Sequence, residues 1–116
     1  FRPNKNIFKL IESCYPSNLK AFINTMNEIR TKTNDFFVFI MLSRHIKKLI
    51  LYQHGIMPPN LQTWQEIKLS NQEKYWKSDL IIDYYDKLIS IDYLIKTGKS
   101  PYKVFDYIET LSAYYL

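Results

Sequence analysis

Apolar positions recur along the chain every three to four residues, and the runs are separated by proline, glycine or short polar side chains. Ile7, Phe8, Leu10, Ile11 and Cys14 form a first helical run that Pro16 stops, with Asn4 or Asn6 as its cap. Ser17 or Asn18 opens a second helix, on which Leu19, Phe22, Ile23, Met26 and Ile29 make one amphipathic stripe. After the polar break from Thr31 to Asn34, Asp35 is expected to cap a third helix that runs from Phe36 to about Gln53. Phe36 to Leu42 are apolar without interruption, which marks this as the central helix. Beyond them Ile46, Leu49 and Ile50 face inward, and Arg44, Lys47 and Lys48 face outward. Gly55 is a C-terminal stop, and Pro58-Pro59 imposes an extended stretch.

A fourth helix is predicted from about Thr63 to Trp76, burying Ile67, Leu69 and either Tyr75 or Trp76. Ser78 or Asp79 caps a fifth, with Leu80, Tyr84, Leu88, Ile91 and Ile95 on one face and Gly98 as its stop. Ser100-Pro101 then reads as an N-cap followed by proline at the first helical position. The last helix buries Val104, Phe105, Ile108, Leu111 and Tyr115. No segment alternates with period two between hairpin turns, so no sheet is expected. The pattern predicts an all-α fold, a compact bundle of about six helices forming one domain over residues 1–116.

Composition narrows the functions open to such a bundle. At 116 residues with 47% hydrophobic and 23% charged side chains, the chain can build a single core. Two glycines leave no phosphate-cradling loop, and one cysteine leaves no intrachain disulfide or cysteine-rich zinc site. No cofactor is implied. No apolar run is long enough to span a membrane, and the single thiol makes the cytoplasm the expected compartment. The chain begins at Phe1 without a leader pattern, which is the expectation for a C-terminal domain excised from a longer protein. Ile, Lys, Asn and Tyr account for 46 of the residues, a skew that AT-rich coding would produce.

The net charge of +5 is uneven. Residues 1–78 hold twelve Lys and Arg against five Asp and Glu, a balance of +7; residues 79–116 hold four against six, a balance of −2. Asp79, Asp83 and Asp86 share one side of the fifth helix and read as a solvated acidic face in preference to an acid–base site. Cys14 reads as a small buried hydrophobe. His45 and His54 stand nine residues apart on opposite sides of the third helix, so they share no metal. They read as surface or boundary residues. Aromatic planes beside cations are a different matter. Trp64 precedes Lys68 by one turn, and Lys96, Lys99 and Tyr102 surround the Gly98 turn, an arrangement suited to stacking on bases and attracting phosphate. The alternative reading has Trp64 stapling its helix to the core while the lysines solvate a turn. Asp92 and Lys96 form an i, i+4 pair of favourable orientation, a structural ion pair.

One order of residues points further. Trp64, Lys68-Leu69, Gln72 and Trp76 are followed by a helix ending Asp92-x-x-x-Lys96-Thr97-Gly98, and then by Ile108, Glu109 and Leu111 on a last helix. This order resembles the C-terminal domain of the bacterial DNA polymerase III delta subunit. Asn6 to Ile11, Ser17-Asn18-Leu19 and the third helix with Arg44 are similar to that family more loosely. The stretch from Gly55 to Gln62 is richer in proline, and the fifth helix more acidic, than the family pattern. The resemblance implies a helical collar domain that joins homologous domains of the other clamp-loader subunits. The further AAA+ domains of that subunit are absent from this chain, so it is not expected to be an enzyme by itself or to take a small-molecule substrate. Primer–template DNA is a partner of the assembled loader, and Trp64, Lys68, Lys96, Lys99 and Tyr102 are the candidate contacts. The alternatives are a free-standing helical nucleic-acid-binding module and the collar of another clamp-loader subunit.

Overall fold

In a computed structural model of the chain, which describes residues 5–57, 59–99 and 103–116, six helices follow one another. They are α1 (Lys5–Glu12), α2 (Leu19–Ile29), α3 (Asp35–Gln53), α4 (Thr63–Glu73), α5 (Ser78–Lys96) and α6 (Val104–Tyr115). Among the described residues there is no strand, so the fold is an all-α bundle. α3 is its axis and packs against α1, α4, α5 and α6, while α2 bridges α1 to α6. None of the residues from Phe36 to Leu42 is exposed, as their unbroken apolar run predicts. Phe39, Leu42, Ile46 and Leu49 of α3 meet Ile7 and Leu10 of α1, Phe22 and Met26 of α2, and Tyr84 and Leu88 of α5 in one continuous core. A radius of gyration of 13.8 Å is close to the ~13 Å expected of a single compact body of this length. Among the described residues no helix is long and apolar enough to cross a membrane.

The caps differ from the sequence expectation in ways that local chemistry explains. Asn34, not Asp35, caps α3: its backbone is extended and its Oδ1 accepts from the Phe37 N–H at 3.0 Å. Asp35 enters the first turn instead, where a carboxylate suits the helix dipole, and accepts from the Phe36 N–H. Asn18 precedes α2, but its side chain donates to the carbonyl of Ser13 at 2.8 Å and leaves the helix uncapped. α5 starts one residue before the helix that a Ser78 cap predicts and two before that of an Asp79 cap, with Lys77 at its N-cap position and Ser78 already helical. The Ser100-Pro101 start signal lies outside the described residues, and α6 itself begins at Val104 behind Lys103. Gly55 and Gly98 both turn with positive φ, 77° and 68°, as stops for α3 and α5.

Two ties close the bundle. The Ser17 N–H donates to the carbonyl of Leu116 at 2.9 Å, which pins residue 116 to the α1–α2 corner. Arg30, at the end of α2, pairs with Glu109 and lies 3.6 Å from Asp106, with its guanidinium over the ring of Phe105. A planar, delocalised cation suits both contacts, so one side chain clamps α2 to α6.

Candidate functional site

The chemically richest surface is a cleft of about 490 Å³ between α1, α3 and α4. Its floor is set by Gln72. Gln72 Nε2 donates to the carbonyls of Ile11 at 2.9 Å and Cys14 at 2.8 Å, so its Oε1 must face the other way. There it meets His45 Nε2 at 2.5 Å, and the ring nitrogen is therefore the donor. Burial, outweighing the pull of that hydrogen bond, lowers the His45 pKa to about 4. At neutral pH the imidazole is an uncharged strut and contributes nothing to the charge of the cleft.

Helix geometry brings the walls together from distant sequence. Phe8 and Glu12 project from α1 one turn apart, Arg44 and Lys48 from α3 one turn apart, and Trp64 and Lys68 from α4 in the same way. Lys68 pairs with Glu12 across the cleft, and its Nζ sits 5.2 Å from the centroid of the Trp64 ring. Trp64 donates its indole N–H to Gln62 Oε1 at 2.5 Å. At the other end of the cleft Tyr15 and Tyr75 stack with centroids 4.4 Å apart. Among the described residues neither Arg44 nor Lys48 has an ion-pair partner, so the rim keeps two unneutralised cations over an aromatic and apolar lining.

Trp64 is 54% exposed, which overturns the reading that it staples α4 to the core. Ile67, expected to be buried, is 56% exposed, and Tyr75 is exposed as well. Leu69 and Gln72 carry the buried face of α4. Trp76 is buried beyond the end of the helix, where its indole N–H donates to the carbonyl of Cys14 at 3.1 Å. α4 stops at Glu73, three residues short of the predicted end, because the Tyr75 and Trp76 N–H groups turn back to Gln72 and Glu73.

Trp64 and Lys68 share the cleft, but Lys96 and Lys99 do not line it; every residue that does lies between Phe8 and Tyr75. Lys96 and Lys99 are exposed near the end of α5, and Lys96 pairs with Asp92 at 2.9 Å as predicted. Tyr102 lies outside the described residues. The two candidate DNA-contacting clusters are thus not joined into one site. Arg44, Lys48, Phe8 and Tyr15, which complete the cleft around Trp64, are separated from it by 16 to 56 residues of sequence, and no local spacing signals their convergence.

Cys14, Asp79 and Asp83 are occupied structurally. Cys14 Sγ lies 3.6 Å from the Tyr84 hydroxyl, which in turn lies 3.4 Å from Ser112 Oγ, all in the core. Burial pushes the Cys14 thiol up to about 12, so it is no nucleophile. Asp83 accepts from the Tyr115 hydroxyl, and Asp79 accepts from the Leu80 N–H. Asp86 stays exposed on the outer side of α5, flanked by exposed Ile82, Ile89 and Tyr93. Comparison with protein-family models, curated proteins and solved structures gave no match to this chain.

Proposed function

We propose that this chain is a collar-type assembly domain of a bacterial clamp loader, of the delta-subunit kind, and that its task is to hold subunits together rather than to catalyse a reaction. The observation that carries this reading is the outer face of α5. Ile82, Ile89 and Tyr93 lie on one side of that helix, all exposed, while Ile81, Tyr84, Leu88 and Ile91 are buried on its core side. An exposed apolar stripe on a helix whose other face is already packed in the core is material for a protein interface. The six-helix all-α architecture and the order of residues from Trp64 to Leu111 support the same reading. In it the protein works in the bacterial cytoplasm, alongside the other loader subunits, with no cofactor. A collar from another subunit of the same loader is compatible with these features.

Competition tests the proposal. An excess of the chain added during reconstitution of the clamp loader from its separate subunits is expected to displace the full-length delta subunit and lower the yield of complete loader. An unchanged yield at saturating chain counts against it.

The cleft favours a second reading, nucleic-acid binding, because cations beside an exposed tryptophan suit single-stranded DNA. Under that reading the isolated chain binds oligonucleotide with an affinity that falls steeply with salt. In the assembled loader, replacing Trp64 and Lys99 by alanine then weakens primer–template binding without unfolding the domain.

A further inference from the structure

The α1/α3/α4 cleft combines an uncompensated positive charge with an aromatic lining. Glu12 and Lys68 neutralise each other across it, and His45 on its floor, hydrogen-bonded to Gln72, is uncharged at neutral pH. Arg44 and Lys48, one turn apart on α3 and both exposed, have no ion-pair partner among the described residues. Phe8 and Trp64 line the same cleft and leave 47% and 54% of their surface open to solvent. The stacked rings of Tyr15 and Tyr75 line it too.

We propose that this cleft is a binding site for a small aromatic carboxylate, whose flat apolar body lies against Phe8 and Trp64 and whose carboxylate is held by Arg44 and Lys48. The guanidinium offers a carboxylate two parallel N–H groups, and the ammonium adds a point charge. The aromatic walls gain from covering a flat ring, which removes apolar surface of both from water. The cleft volume of about 490 Å³ falls in the range of small-molecule sites, roughly 300–1,000 Å³. The ligand is bound without being transformed. This inference goes beyond the assembly reading and does not depend on it.

Larger anionic partners fit less well. The Lys68 ammonium already lies over the Trp64 ring, where a stacked base would lie, and Glu12 opposes a phosphate backbone running through the cleft. A protein helix is about 10–12 Å across, so a single turn of one would fill this volume. A single carboxylate on a compact ring reaches Arg44 and Lys48 and needs no second anionic contact.

Titration of the full chain with 2-naphthoate, followed residue by residue in ¹H–¹⁵N NMR spectra, tests this. Saturable shifts are expected at the Trp64 indole N–H and at Phe8, Arg44 and Lys48, with Ile82 and Ile89 on the outer face of α5 unmoved. The amide of the same ring, 2-naphthamide, lacks the charge and should bind about tenfold more weakly. Arg44→Gln with Lys48→Gln should abolish that difference, and Trp64→Ala should weaken both probes. All three side chains are exposed, so the core is untouched, and the comparison of carboxylate with amide on the parent chain needs no variant. A parent chain that binds neither probe, binds both equally, or shifts mainly outside the cleft would overturn the proposal. Tighter binding of decanoate would do the same, since the site would then take an acyl chain in place of a ring. So would displacement of 2-naphthoate by oligothymidylate at lower concentration, which would give the cleft to nucleic acid. The collar reading stands or falls separately, on binding to loader subunits.

Discussion

At Gln72 a single amide serves three partners, the carbonyls of Ile11 and Cys14 and the ring of His45, and thereby ties α1, α3 and α4 together. Gln72→Leu keeps the volume but leaves the Ile11 carbonyl and the His45 N–H without their donor or acceptor. Unsatisfied buried polar groups each cost about 1–3 kcal/mol, so the variant should lose about 2–4 kcal/mol in urea unfolding. His45 makes the bundle sensitive to pH in a definite direction. Its folded pKa of about 4 lies below the ordinary 6.5, so between these values the unfolded chain holds the proton and the folded chain does not. Stability therefore falls as pH drops through that window, by on the order of 3 kcal/mol once it is crossed. His45→Asn should lose visibly less between pH 7 and pH 4.5 than the parent; parallel profiles would contradict the assignment. Neither role is legible from the residues alone. The spacing of Gln72 on α4 says only that it accompanies Leu69 on one face, and its partners come from helices about 60 and 27 residues away.

The helices themselves are legible because the apolar period is a local property that burial on one side of a helix imposes. Every predicted helix is present, and Phe22, Met26 and Ile29 of α2, Ile46 and Leu49 of α3, and Tyr84, Leu88 and Ile91 of α5 are buried as their stripes place them. Leu80 and Ile95, by contrast, are only half-buried, and the fully buried Ile81 lies outside the predicted stripe. The boundaries are less so, since a cap depends on a side chain's choice among neighbours: Asn34 takes the cap from Asp35, and the Asn18 amide goes to Ser13. α4 is the element that periodicity misreads. Its mixed pattern allows Ile67 inside, yet packing selects Leu69 and Gln72 and leaves Trp64 and Ile67 outside. Element ends also carry testable strain. Gly98 adopts φ 68° with open space around it, so Gly98→Ala should cost about 1 kcal/mol from backbone conformation alone, measured as a lowered urea midpoint. Lys96→Ala, which removes the exposed end of the pair with Asp92, should change stability by less than about 0.5 kcal/mol.

For the whole molecule, the charge asymmetry acquires a spatial meaning. The basic excess before residue 79 includes the rim cations Arg44 and Lys48, and the acidic excess after it includes the outer face of α5. The cations of the cleft and the acids of α5 are therefore split between two surfaces of one small bundle. The proposed assembly role is tested most simply by direct binding to the subunits of a bacterial clamp loader. Sedimentation velocity of the purified chain mixed with those subunits at low and physiological salt should show the 14.0 kDa species moving into a faster complex in both conditions. A chain that sediments alone at 14.0 kDa in both mixtures would contradict the account.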